Sequence, residues 1–122
     1  MDSIYNNMTR SEKQIAKYLK ERDLWWEFEF PVFVYEENRR PRLYSPDFYI
    51  PKLGLFIEVC GSKDFDYEHR EKVYKENGIS VVFLHYYKRR MKWKFFLAER
   101  IKEIEQQRQV EAKKLTGFAN ET

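Results

Sequence analysis

The 122-residue chain has one cysteine and two histidines, which is too few for several common kinds of site. Cys60 alone cannot form an intrachain disulfide, and Cys60, His69 and His85 are too scattered for a zinc site. The chain also lacks a Gly-rich phosphate loop, a GxSxG turn and any apolar run that could form a signal peptide or a membrane span. We therefore expect a soluble, intracellular protein without membrane contact.

The composition favours a single domain. Apolar residues make up 43% of the chain and aromatic residues 18%, which is enough for one core. No internal repeat, low-complexity segment or Pro/Gly-rich linker divides the sequence. We expect a domain over residues 9–114, preceded by a flexible N-terminus at 1–8 and followed by a flexible tail at 115–122.

Positive charge is concentrated near the C-terminus, although the net charge is only +3. Aromatic and basic residues alternate in HYYKRRMKWKFF, a composition that suits phosphate contact with nearby ring stacking. A solvated helix whose aromatic residues turn into the core would give the same pattern. The candidate nucleic-acid-binding residues are Arg39, Arg40, Lys88, Arg89, Arg90, Lys92 and Lys94.

Periodicity and capping signals predict an α/β (α+β) chain of the order αβββαβ with a further long helix. Thr9 and Glu12 form a capping-box pattern, Pro31 suggests an edge or bulged strand, and the apolar run after Gly54 suggests a central strand covered on both faces. The predicted elements are a helix at 10–22, strands at 25–37, 42–50 and 55–60, a helix from Asp64 or Asp66 to Glu76, a strand at 79–85 and a helix at 93–114.

Asp47 and Glu58 stand out because each lies in a segment that otherwise reads as a buried strand. Side chains alternate along a strand, so Glu58 shares a covered face with Phe56 and Cys60, and a hairpin could bring Asp47 beside it. Neighbouring carboxylates repel each other unless a cation lies between them. The simpler alternatives are a turn-stabilising Asp47 and a Glu58 that is paired with an arginine.

Two carboxylates would suit Mg²⁺ or Mn²⁺, because hard divalent cations prefer oxygen ligands. Asp47, Glu58 and the backbone carbonyl of Cys60 could supply such ligands. Glu12 is a further candidate because it lies on the apolar stripe of the first helix. It could equally serve only to cap that helix at Thr9.

The segments Ser45-Pro46-Asp47-Phe48-Tyr49-Ile50-Pro51 and Phe56-Ile57-Glu58-Val59 resemble the two motif strands of the PD-(D/E)xK nuclease superfamily. The resemblance covers about residues 9–86 and implies a restriction-endonuclease-like core with a mixed central sheet flanked by helices. It further implies that Asp47 and Glu58 are metal-binding catalytic acids and that Glu12 matches the acidic residue often found on the first helix.

The chain departs from the family pattern at Cys60, where the family usually has its catalytic lysine. Helical geometry puts Arg70 on the buried face of the second predicted helix, together with His69, Val73 and Tyr74. Arg70 is therefore the first candidate replacement, and Lys63 in the preceding loop is the second. Arginine stays protonated, so it could stabilise charge on phosphate but could not act as a general base.

These features predict a metal-dependent DNA endonuclease, with a homodimer as one way to cut both strands of a duplex. A non-catalytic nucleic-acid-binding module would keep the same fold without the activity. A third alternative is a protein-interaction domain that pairs with a partner through Phe96, Leu97, Ile101 and Ile104 of the last helix.

Overall fold

The structure is a computed structural model that describes residues 3–36, 40–61, 65–86 and 92–120, with side chains up to residue 116. A single 3-10 turn at Ile4–Asn7 comes first, in the segment for which the sequence predicted no regular structure. The helices are α1 (Arg10–Glu21), α2 (Tyr67–Glu76) and α3 (Trp93–Asn120). The strands are β1 (Glu27–Phe28), β2 (Val32–Tyr35), β3 (Pro41–Tyr44), β4 (Phe48–Ile50), β5 (Leu55–Val59) and β6 (Val81–Leu84).

The main sheet is mixed, as the sequence predicted. Its strand order is β1-β4-β5-β6, in which β4 pairs antiparallel with β1 and β5, and β5 pairs parallel with β6. The parallel pair requires a crossover, which α2 provides between β5 and β6. The chain is thus a mixed α/β domain with a long C-terminal helix.

The single strand predicted at 25–37 is wrong, because the segment forms two strands in different sheets. Glu29 takes a positive φ of 53° just after β1, and Pro31 lacks the N–H that a continuing ladder would need. β1 consequently ends against β4, while β2 forms a separate two-stranded hairpin with β3.

The strand predicted at 42–50 divides for a similar reason. Pro46 cannot donate to a ladder, and the chain bends at Asp47 before β4 begins. β3 therefore stays in the hairpin with β2, whereas β4 joins the main sheet. The bend leaves Asp47 at the start of β4, beside the end of β5.

Both faces of β5 are covered, as its near-continuous apolar sequence predicted. Leu55 and Ile57 belong to the larger core, which includes residues of α1 and α3. Cys60, just past the strand, belongs to a second core that includes Val73 and Tyr74 of α2. The alternation confirms that Glu58 points into the covered face on the α2 side, where it contacts Tyr74.

α3 is part of the domain core. Leu97 and Ile101 are fully buried, Ile104 is 8% exposed and Phe96 packs against the same cluster. The interaction surface predicted for a partner helix is therefore occupied by the chain's own sheet and helices. The helix also continues to Asn120, past its predicted end at Lys114. In the described ranges, none of the helices combines the length and apolar character needed to cross a membrane.

The burial of α3 can be tested with a matched pair of variants on that helix. Ile101→Ala should lower the free energy of unfolding by about 2–5 kcal/mol, because a fully buried side chain is lost. Val110→Ala should change it by less than about 0.5 kcal/mol, because Val110 is 53% exposed. Urea denaturation measures both values, and equal effects would contradict the packing of α3 on the sheet.

Candidate metal and phosphate site

The two candidate acids come together at the end of the β4–β5 ladder. The register pairs Phe48 with Ile57, so continuing it by one residue sets Asp47 opposite Glu58. The Asp47 carboxylate Oδ2 accepts a hydrogen bond of 2.7 Å from the Val59 N–H on β5. Its side chain thus crosses to the next strand, which contradicts the alternative that it stabilises a local turn.

Glu58 is 6% exposed and has two side-chain partners on α2. The Tyr74 hydroxyl donates to Oε1 over 3.0 Å, and the Arg70 guanidinium lies 3.4 Å from Oε2. Burial raises the pKa of Glu58, while the charge of Arg70 and the two hydrogen bonds oppose that rise. The structure therefore contains the ion pair between Glu58 and an arginine that was the simpler alternative to metal binding.

Asp47 is the acid whose pKa is shifted most clearly towards neutrality. Its pKa is raised from 3.8 to about 7, mainly by burial and against the opposing effect of the Val59 N–H. A hydrogen bond with the Glu12 side chain and the charges of Glu58 and Glu12 contribute smaller parts of the same rise. Of the two opposed acids, Asp47 is therefore the one without a cationic partner among the described residues, and a cation bound there would relieve the repulsion.

Glu12 combines the two roles that the sequence left open. Its carboxylate accepts from the Thr9 N–H at 2.8 Å and its own N–H donates to the Thr9 hydroxyl at 3.2 Å, which completes the capping box. The side chain is only 8% exposed and is close enough to Asp47 to influence its pKa. Capping at Thr9 and proximity to Asp47 thus coexist in one residue.

Arg70 lies where helical periodicity predicted, on the inner face of α2. Its guanidinium carbon is 4.4 Å from the ring centroid of Tyr44 and 5.4 Å from that of Phe65. Stacking on aromatic rings suits a planar guanidinium and favours a defined orientation. The Tyr44 hydroxyl in turn donates to Glu36 over 2.7 Å, so the β2–β3 hairpin helps to position Arg70.

Cys60 is fully buried directly after β5. Burial, followed by the charges of Glu58, Asp47 and Glu71, raises the pKa of its thiol to about 12, so the thiol stays protonated and unreactive at neutral pH. Its N–H donates to the Leu84 carbonyl on β6, the side of β5 opposite to Asp47. The assignment of its carbonyl as a metal ligand stays a prediction.

The remaining candidate residues lie apart from this cluster or outside the described residues. Arg40, Lys92 and Lys94 are exposed at the surface. Lys63, Arg39, Lys88, Arg89 and Arg90 lie outside the described residues. The inward orientation expected for His69 is wrong, because its side chain is exposed in the first turn of α2, where its N–H donates to the Asp66 cap.

Sequence reasoning missed the polar role of Tyr74. We counted it only as a core residue, although its hydroxyl is bonded to Glu58 and burial and the Glu58 charge raise its pKa. The available signal was its spacing of four residues from Arg70, which places both side chains on one helical face. No local signal indicated the rings of Tyr44 and Phe65 around Arg70, since these contacts depend on tertiary structure.

Comparison of the chain with protein-family models, curated proteins and solved structures gives no match. Among the residues that the structure describes, no group of three or more His, Cys, Asp or Glu side chains could hold a metal ion. Function must therefore be inferred from the pair Asp47 and Glu58 and from the groups around it.

The raised pKa of Asp47 predicts how stability depends on pH. Between about pH 4 and pH 7 the unfolded chain releases the Asp47 proton before the folded chain does, so this residue lowers stability as pH rises. Asp47→Asn cannot ionise and still accepts from the Val59 N–H. Its melting temperature relative to wild type should increase through this interval and level off above pH 7, by at least about 4 °C, because each pKa unit corresponds to about 1.4 kcal/mol.

Thermal melts between pH 4 and pH 8 in the presence of a chelator measure this difference. Asp66→Asn is the matched control, because it removes a carboxylate from an exposed α2 cap where an amide also caps well. If Asp47→Asn is less stable than wild type at pH 8, the fold stabilises the Asp47 charge rather than penalising it through burial and neighbouring acids.

Proposed function

We propose that the chain is a metal-dependent nuclease that hydrolyses phosphodiester bonds in DNA. The observation that carries the proposal is the position of Asp47 opposite Glu58 on adjacent antiparallel strands, with Arg70 reaching Glu58 from α2. In this arrangement the two carboxylates could serve as metal ligands, and the arginine beside them could contact a phosphate.

The architecture supports the resemblance to the PD-(D/E)xK superfamily. α1 precedes three strands of the main sheet, and α2 then leads to the parallel strand β6. When β2 and β3 are treated as an insertion between β1 and β4, the order is αβββαβ. The motif acids lie on β5 and at the start of β4, and Glu12 lies on α1 beside Asp47.

The residues present fit a divalent cation such as Mg²⁺ or Mn²⁺. Two carboxylates are enough, because Mg²⁺ is often held by one or two protein carboxylates together with water and substrate phosphate. Asp47 and Glu58 would hold the ion, with Glu12 close to Asp47. When bound, the ion would supply activation of water and polarisation of the phosphoryl group.

Arg70 is the residue that would replace the missing lysine. The guanidinium lies 3.4 Å from the Glu58 carboxylate, whereas a tight charge-assisted hydrogen bond measures about 2.7–2.9 Å. A substrate phosphate could therefore compete with Glu58 for the guanidinium. Arginine remains protonated, so its work would be to bind the phosphate and stabilise charge there. Tyr74 would keep Glu58 in place while Arg70 turns to the substrate.

A non-catalytic nucleic-acid-binding module is the second candidate. It is favoured by Cys60 in the lysine position and by the pairing of Glu58 with Arg70, which satisfies the acid without a metal. Both candidates have nucleic acid as the partner. A homodimer stays a prediction, which follows from the need for two sites to cut both strands.

Cleavage of plasmid and branched DNA in Mg²⁺ tests catalysis. Glu58→Gln should lower the rate at least about 100-fold, because it removes charge from the proposed metal site while leaving an acceptor for Tyr74. Glu68→Gln, on the exposed face of α2, should cleave like wild type. Normal cleavage by Glu58→Gln would refute the site assignment.

Arg70 is tested in the same assay with two substitutions. Arg70→Ala should lower the rate about 100- to 1000-fold through loss of charge stabilisation at the phosphate. Arg70→Lys keeps the charge beside Glu58 and should recover part of the activity, which controls for destabilisation by an unpaired buried Glu58. Equal activity of wild type and Arg70→Ala would exclude Arg70 as the replacement for the lysine.

Calorimetry with Mn²⁺ separates the two candidates. The nuclease proposal predicts binding by wild type and its loss in Asp47→Ala, since this substitution removes one of the two proposed ligands. Absence of Mn²⁺ binding in wild type, together with retained DNA binding, would favour the non-catalytic module.

A further inference from the structure

The solvent face of α1 carries a row of positive charges to which no role has been assigned. Arg10, Lys13, Lys17 and Lys20 are spaced by three, four and three residues, which places them on one face of the helix. We call these four residues the α1 basic row. All four are exposed, and in the described parts of the chain none of them makes an ion pair.

The row has a defined direction and length. Arg10 begins α1, two residues before Glu12, which lies beside Asp47 of the candidate metal site. Lys20 is in the last turn, roughly 15 Å away at a rise of 1.5 Å per residue. The row thus runs along the solvent face of α1, opposite the buried Glu12, from the first turn of the helix towards the loop that follows it.

An aromatic pocket lies at the far end of the row. It has a volume of about 560 Å³ and is lined by Tyr5, Trp25, Trp26 and Phe28 together with Lys20 of the row. We call it the Trp25 pocket. Lys20 belongs to both features, so the charged row and the aromatic pocket are continuous.

The pocket combines a fixed inner wall with an exposed ring. Trp26 packs edge-on against Phe48 of the core, with ring centroids 5.4 Å apart, and Tyr5 packs edge-on against Trp26 at 6.0 Å. Trp25 is 71% exposed, yet its indole N–H donates to the Glu27 carboxylate over 3.0 Å. A large ring exposed at the surface and held in one position is suited to stacking with a planar ligand.

We propose that the α1 basic row binds the phosphates of a nucleic acid strand and that the Trp25 pocket stacks an unpaired base of the same strand. Four exposed positive charges in one row are complementary to a polyanion. This inference rests on the nucleic-acid part of the proposed function, and it adds a preference for substrates with single-stranded or unpaired nucleotides.

The acidic groups near the pocket support this division of roles. Asp23 and Glu27 line the pocket and Glu21 lies next to the row, so phosphate is disfavoured inside the pocket. A base is uncharged and stacks on aromatic rings. Its amino groups can donate hydrogen bonds to carboxylates. The phosphates therefore lie on the row and the base in the pocket.

An anionic membrane surface is a poorer occupant of the same row. A helix that lies on a membrane inserts its apolar face, but the apolar face of α1, formed by Ile15, Ala16 and Leu19, is fully buried in the core. Only the charged face of α1 would be left to contact lipid.

Fluorescence anisotropy with labelled oligonucleotides in a chelator tests the proposal independently of cleavage. The triple variant Lys13→Gln, Lys17→Gln, Lys20→Gln should weaken single-strand binding at least tenfold and lower the slope of log K against log salt by about 2. The control triple variant Lys102→Gln, Lys113→Gln, Lys114→Gln removes the same charge from exposed positions on α3 and should bind nearly as wild type does.

Trp25→Ala tests the pocket with the same probes. It should weaken binding of a single strand, or of a duplex with an overhang, by about five- to a hundredfold, and leave binding of a blunt duplex within about twofold. Phe95→Ala is the matched control, because Phe95 is also 71% exposed but lies on α3.

The outcomes distinguish this inference from the function on which it rests. If wild type binds DNA but both triple variants lose affinity equally, or Trp25→Ala binds single strands normally, the inference is wrong and the proposed function stands. If wild type binds no oligonucleotide at low salt, both fail. Binding of the row to anionic phosphatidylserine vesicles, without binding to oligonucleotides, would also overturn it.

Discussion

Burial of the Glu58 carboxylate is the constraint around which the α2 side of the sheet is arranged. A charged group with so little exposure needs partners, and breaking a buried pair by removing one partner typically costs about 3–5 kcal/mol. Arg70 and Tyr74 both meet this requirement from α2, which fixes the rotation of that helix against β5. Arg70 in turn contacts the Tyr44 ring, which links the β2–β3 hairpin to the same arrangement.

Asp47 is in a different position from Glu58, although the two acids lie opposite each other. Glu58 has a cation and a hydroxyl as partners, whereas Asp47 has a backbone N–H and two neighbouring acids. This asymmetry explains why Asp47 has the pKa near neutrality and why a metal ion would compensate this side of the pair. Glu58 therefore has its ion pair with Arg70, while Asp47, among the described residues, faces other acids and no cation.

Sequence patterns predicted the parts of this arrangement that depend on periodicity. Alternation placed Glu58 on a covered face, and helical spacing placed Arg70 with Val73 and Tyr74. The two long strands were wrong because single prolines, Pro31 and Pro46, divide them between sheets. Which sheet each half joins is decided by tertiary pairing and leaves no local signal. The hydroxyl–carboxylate bond of Tyr74 and the stacking of Arg70 likewise depend on elements distant in sequence.

In the proposed nuclease, an arginine on a helix would take the place of a lysine on a strand, which changes what the site could do. A lysine at the Cys60 position would point from β5 and could lose its proton, whereas Arg70 comes from α2 and keeps a fixed charge. Glu12 lies in the first turn of α1, where the helix dipole favours negative charge. The acids, and a substrate phosphate beside them, would therefore be supported by the fixed charge of Arg70 and, at Glu12, by the positive end of α1. Proton transfer, by contrast, would have to come from water rather than from a basic side chain at the motif position.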